Sequence, residues 1–84
     1  MQYLYSIRDE VSGVYYEPLV MDTDNALKRD VVYSLKMLDD VPVKQYPKDF
    51  VVYRIGAWDY HTGKLMPADH ERICCIADLI KEED

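Results

Sequence analysis

The sequence predicts an α+β domain: two β-hairpins forming an antiparallel sheet, packed against one central amphipathic helix, with a short C-terminal strand or helix. Three observations carry this reading. Two alternating stretches, Gln2 to Arg8 and Phe50 to Trp58, each run into a turn of the same composition, Asp9-x-x-Ser12-Gly13 and Asp59-x-x-Thr62-Gly63. Between them the apolar period becomes helical, with Leu27, Val31, Leu35 and Leu38 forming one stripe. The length, 84 residues, is that of a single domain spanning 1–84.

In the first strand Tyr3, Tyr5 and Ile7 share a face, and Leu4 is out of step. Asp9 to Gly13 supplies a side-chain acceptor for backbone amides and a glycine for the left-handed residue that closes such turns. Val14 to Val20 reads as the returning strand; Pro18 donates nothing to a ladder, so the strand lies at an edge or bends there. Asp22-Thr23-Asp24 is a helix-capping cluster, and the helix covers Asn25 to Leu38 before Asp39-Asp40 and Pro42 end it. Val41 to Lys48 reads as a connecting loop. In the next strand the odd positions Val51, Tyr53, Ile55 and Ala57 are expected on the core face, with Arg54 opposite. Lys64 to Met66 starts the return and Pro67 is expected to end it. From His70 onward a buried strand followed by a short turn competes with a helix carrying Ile73, Ala77 and Ile80.

Composition narrows the function classes. A chain of this length buries only about 60–65% of its unfolded surface, which favours a homo-oligomer that shares core. No run reaches the roughly 18 apolar residues of a membrane span, and the N-terminus lacks a signal-peptide layout, so an intracellular protein without a membrane partner is expected. Cys74 and Cys75 are adjacent, and with His61 and His70 they fit no metal-ligand spacing; no metal or other cofactor is expected. No nucleophile elbow or phosphate loop is present, and the carboxylates sit in turns, caps and the tail, so a non-enzymatic role is expected.

The net charge of −6 is uneven. Residues 1–40 carry four basic and eight acidic side chains, and residues 67–84 two and six, whereas 41–66 hold four basic and two acidic. That basic stretch is also the most aromatic. Lys44, Lys48, Arg54, Trp58, Tyr60 and Lys64 supply cations for phosphates and rings for bases, the two parts of a single-strand-binding surface. Against this stands the overall acidity, which opposes a polyanion. Tyr15 and Tyr16 are neighbours on a strand, so one points away from the core and offers a protein contact instead.

The block Pro47-x-Asp49-Phe50-x-x-Tyr53-x-Ile55-Gly56-x-Trp58-Asp59-x-x-Thr62-Gly63 resembles a small nonstructural protein of gokushoviruses, single-stranded DNA bacteriophages of the Microviridae. The start, Tyr5-x-Ile7-x-Asp9 and a glycine turn, is similar as well. The likeness covers about residues 3–66; it departs at Ala26-Leu27-Lys28-Arg29-Asp30, where that family leads into an aromatic. The resemblance implies a role in genome replication or packaging in the host cytoplasm, with single-stranded DNA as ligand and no catalytic residues. The alternative is an interaction module that contacts a viral or host protein through exposed tyrosines.

Overall fold

The computed structural model describes residues 1–83. An antiparallel sheet of five strands is covered on one face by the main helix. Strand β1 (Gln2–Asp9) is central; β2 (Val14–Tyr15) and β3 (Leu19–Met21) both pair along one side of it, and β4 (Phe50–Asp59) along the other. Strand β5 (Lys64–Cys75) pairs β4 and forms the far edge. The helices are α1 (Asp24–Met37), a single turn α2 (Pro42–Gln45) and the terminal α3 (Ile76–Glu83).

The two hairpin turns are built from the same parts. Asp9 Oδ1 accepts from Val11 N at 2.9 Å and Asp59 Oδ1 from His61 N at 2.9 Å. Ser12 Oγ and Thr62 Oγ1 each accept from the amide two residues on, at 3.3 Å. Gly13 and Gly63 close the turns at φ 76° and 75°, a conformation that disfavours any Cβ. Pro18 has the effect expected of it: the returning strand breaks at residues 16–18 into β2 and β3.

Thr23 caps α1, its Oγ1 accepting from Ala26 N at 3.0 Å, and Leu27, Val31 and Leu35 enter the core. Leu38 is the C-cap and lies exposed, so the stripe ends one turn earlier than its spacing suggests. The core joins these residues to Tyr5, Phe50, Val52, Cys74, Ile76 and Leu79.

Three expectations are corrected. The segment read as a plain loop contains α2 and a 3-10 turn at Pro47–Asp49, each opened by a proline in a first-turn position, where its missing N–H costs nothing. Pro67 does not end the return strand: β5 runs on to Cys75, because an edge strand tolerates a residue that cannot donate. The core face of β4 carries Phe50, Val52 and Arg54, since Ile7 pairs with Val52 and Tyr5 with Arg54. A bulge between Leu4 and Tyr5 skips Ile55 and changes the phase of the strand, bringing Ala57 opposite Tyr3.

The ambiguous C-terminal stretch is both strand and helix: β5 through Cys75, then α3 with Ile76 and Leu79 buried. Cys74 lies in the core, and burial pushes its thiol above the ordinary range. Cys75 is half-buried with Sγ 3.5 Å from the Pro47 carbonyl. Iodoacetamide at pH 8 is therefore expected to modify Cys75 about tenfold or more faster than Cys74. Tandem mass spectrometry of partially labelled protein checks this, and equal rates would contradict the packing of β5.

Candidate nucleic-acid interface

Cross-strand partners in an antiparallel sheet point to the same face, so the register assigns each side chain. Ser6, Tyr53 and Arg72 are successive partners across β1, β4 and β5, on the face away from α1. Arg8 pairs with Tyr15 of β2 on that same open face. Ser6 is buried, its hydroxyl donating to the Tyr16 carbonyl at 2.6 Å. Being small, it leaves room above β1 for larger rings from both sides.

Those rings form a connected group. Tyr15 packs edge-on against Tyr53 at 5.9 Å and against His70 at 5.1 Å between centroids. Its hydroxyl lies 2.9 Å from His70 Nδ1, which ties β2 to the distant strand β5. The Arg8 guanidinium sits 5.6 Å from the Tyr15 ring centre. Glu10 closes the group, ion-paired with Arg8 and accepting from the Tyr53 hydroxyl at 2.8 Å. Tyr15, His70 and Arg72 are exposed, whereas Tyr53 and Arg8 are half-buried. An uncovered sheet face with several aromatic rings flanked by two arginines has the components of a stacking platform for unpaired bases.

The residues singled out from the sequence do not come together. Arg54 lies on the covered face, with Nη2 at 2.9 and 3.2 Å from the two Asp24 oxygens and Nη1 at 3.4 Å from Glu71. Its guanidinium stacks over Tyr3 at 4.8 Å, and Tyr5 donates to the same Asp24 at 2.5 Å. Burial opposes the arginine's charge, but Asp24, then Glu71, hold its proton more tightly than usual. Burial, then Asp24, push the Tyr5 hydroxyl above the usual tyrosine range. This group ties the helix start to the sheet.

Trp58, Tyr60 and Lys64 share the β4–β5 hairpin end. Trp58 is half-buried and donates Nε1 to Gln2 at 3.0 Å, while Tyr60 is exposed and its ring lies tilted against His61, 4.7 Å between centroids. Lys44 and Lys48 lie before the opposite end of β4, whose length in ten residues is about 30 Å. Lys44 Nζ donates to the Leu38 carbonyl at 2.8 Å and so closes the C-terminus of α1.

Arg8, Tyr15, Tyr53, His70 and Arg72 are not legible as a group along the chain. Their common face depends on pairings between four strands, and the only local signal was the Tyr15-Tyr16 pair, one of which must face outward. The local charge also differs from the total: two arginines face one glutamate here, while Asp22, Asp24, Asp30, Asp39 and Asp40 line the helix and its flanks.

Among the described residues no helix is long and apolar enough to cross a membrane. Comparison with known proteins gives no match among curated proteins or solved structures. A family model described as Phage ORF5 protein matches residues 2–79, nearly the whole chain. By this match the chain belongs to the Phage ORF5 protein family, and it is a bacteriophage protein.

Proposed function

We propose that this phage protein binds single-stranded DNA on the open face of its sheet, in a non-enzymatic role assisting genome replication or packaging in the host cytoplasm. The gokushovirus-like block at Pro47 to Gly63 supports a single-stranded DNA phage as its source. The observation that carries the reading is the grouping of Tyr15, Tyr53 and His70 between Arg8 and Arg72. Unpaired bases present π-faces that such rings stack on, while duplex DNA hides them. Two arginines on the face answer the objection from the overall acidity, because phosphates respond to the charge nearest them.

The test is fluorescence anisotropy of a labelled oligothymidine at about 50 and 200 mM salt. Micromolar binding that weakens with salt is expected. Tyr53→Ala is expected to weaken it about tenfold, within the range known for one stacked base. Trp58→Ala and Lys64→Ala at the hairpin end are expected to change it less than twofold. Absence of binding by the folded protein at low salt would overturn the reading and favour the interaction module. Self-association belongs to the same proposal, and sedimentation at several concentrations measures it.

A further inference from the structure

Glu10 occupies an unusual position for an acidic residue on a surface meant for DNA. It holds two members of the proposed platform at once: Oε2 pairs with the Arg8 guanidinium and Oε1 accepts from the Tyr53 hydroxyl at 2.8 Å. Its placement is fixed by the backbone, since Glu10 N donates to the Asp49 carbonyl at 2.8 Å where the first turn meets the start of β4. Gly13 completes the arrangement. A Cβ there would come within 3.3 Å of Arg8 Nη2, so the glycine leaves the guanidinium its room as well as closing the turn.

A carboxylate and a phosphate offer the same thing, two adjacent anionic oxygens, and in Glu10 one is taken by the Arg8 guanidinium and the other by the Tyr53 hydroxyl. We propose that Glu10 is an internal substitute for a nucleotide phosphate, holding Arg8 and Tyr53 in place until DNA displaces it. The inference rests on the reading of the open face given above. Binding is then an exchange of anions. Arg8 leaves one carboxylate for one phosphate, and the displaced Glu10 adds a negative charge beside the strand.

Two consequences follow. The platform is ordered before ligand arrives, so the ring and guanidinium rotamers need little further fixing. The affinity is held below what the two arginines would otherwise give, because part of their attraction is already spent inside the protein. A protein that must be released from a genome during replication or packaging gains from such a limit.

Glu10→Gln separates these ideas. The amide keeps an acceptor for Tyr53 but removes the charge that competes with phosphate. The variant, titrated into a labelled oligothymidine of about 16 nucleotides, is expected to bind about fivefold more tightly at low salt, a gain within the range of charge-assisted contacts. One more net phosphate contact steepens the salt slope by about 0.7, so the affinity lost between 50 and 200 mM salt grows by a further factor of about 2.6. Asp39→Asn, beyond the end of α1, makes the same change in net charge away from the face and is expected to leave the slope unaltered. In an Arg8→Ala background Glu10→Gln is expected to give a smaller gain, because only the removal of a negative charge beside the strand is left and the competition for the guanidinium is gone.

An unchanged affinity and slope in Glu10→Gln, with Tyr53→Ala still weakening binding, would overturn this inference and leave the DNA reading standing. Weaker binding by Glu10→Gln would also overturn it, by making Glu10 a brace and not a competitor. Absence of binding in every variant, each folded by circular dichroism, would overturn both.

Discussion

Gly56→Ala is expected to destabilise the domain by about 2 kcal/mol. Gly56 is buried in β4, opposite Leu4 on one side and Pro67 on the other. A Cβ at this position would lie 2.7 Å from the Met66 carbonyl oxygen and 3.2 Å from the Pro67 Cα. Both are backbone atoms, so no side chain can swing aside and the β4–β5 pair must separate. Overpacking of this kind costs about 1–3 kcal/mol, and the upper end applies where backbone moves. The stiffer unfolded chain returns about 0.4–1 kcal/mol. Against a total of about 4–12 kcal/mol for 84 residues the loss is large. It corresponds to a fall in melting temperature of about 8–16 °C, read by circular dichroism. Gly63→Ala is the control: nothing lies within 4 Å of its Cβ, and only the φ of 75° opposes it, at a cost of about 1 kcal/mol. Equal losses at the two glycines would show that the close approach at Gly56 has no energetic weight.

The sequence made parts of this structure legible, and the limits have physical causes. Both turns and α1 rest on interactions within a few residues: Asp9 with Val11, Thr23 with Ala26, Leu27 with Val31 and Leu35. Such patterns survive in any tertiary context. The facing of β4 does not reduce to its own pattern, because apolar residues occupy both sides, Phe50 and Val52 on one and Val51 and Ile55 among the others. A charged Arg54 suggests solvent until Asp24, thirty positions away, provides a partner under the helix. The bulge that skips Ile55 then breaks the alternation altogether. The candidate site depends still more on topology. Tyr15 and His70 are 55 positions apart and meet only because β2 and β5 flank the same two strands. The basic and aromatic segment is continuous along the chain, but the fold distributes its residues over both ends and both faces of β4.

Asp24→Ala is expected to cost more than any substitution of the exposed acids, about 3 kcal/mol. Three features make this carboxylate central. It accepts from Arg54 through both oxygens, at 2.9 and 3.2 Å, it accepts from Tyr5 at 2.5 Å, and it lies in the first turn of α1, where negative charge meets the positive helix end. Removing it leaves two donors without their acceptor, and one of them carries charge. Arg54 is poorly placed to compensate: its Nε is already buried without a partner, and Glu71 contacts only Nη1. A fully buried pair broken in this way loses about 3–5 kcal/mol; the exposures here, 26% for Arg54 and 37% for Asp24, place the cost at the lower end. Asp24→Asn separates charge from hydrogen bonding. It keeps an acceptor for Tyr5 and is expected to lose about half as much. The decisive comparison is the double substitution Asp24→Leu with Arg54→Met. If the ion pair anchors α1 mainly by avoiding an unpaired guanidinium, the double variant recovers most of the loss, because an apolar pair needs no partner. Urea unfolding at neutral pH measures these variants together with the single substitutions Asp24→Leu and Arg54→Met. Additive losses would instead show that each residue anchors α1 to the sheet separately, through Tyr5 for Asp24 and through Tyr3 for Arg54.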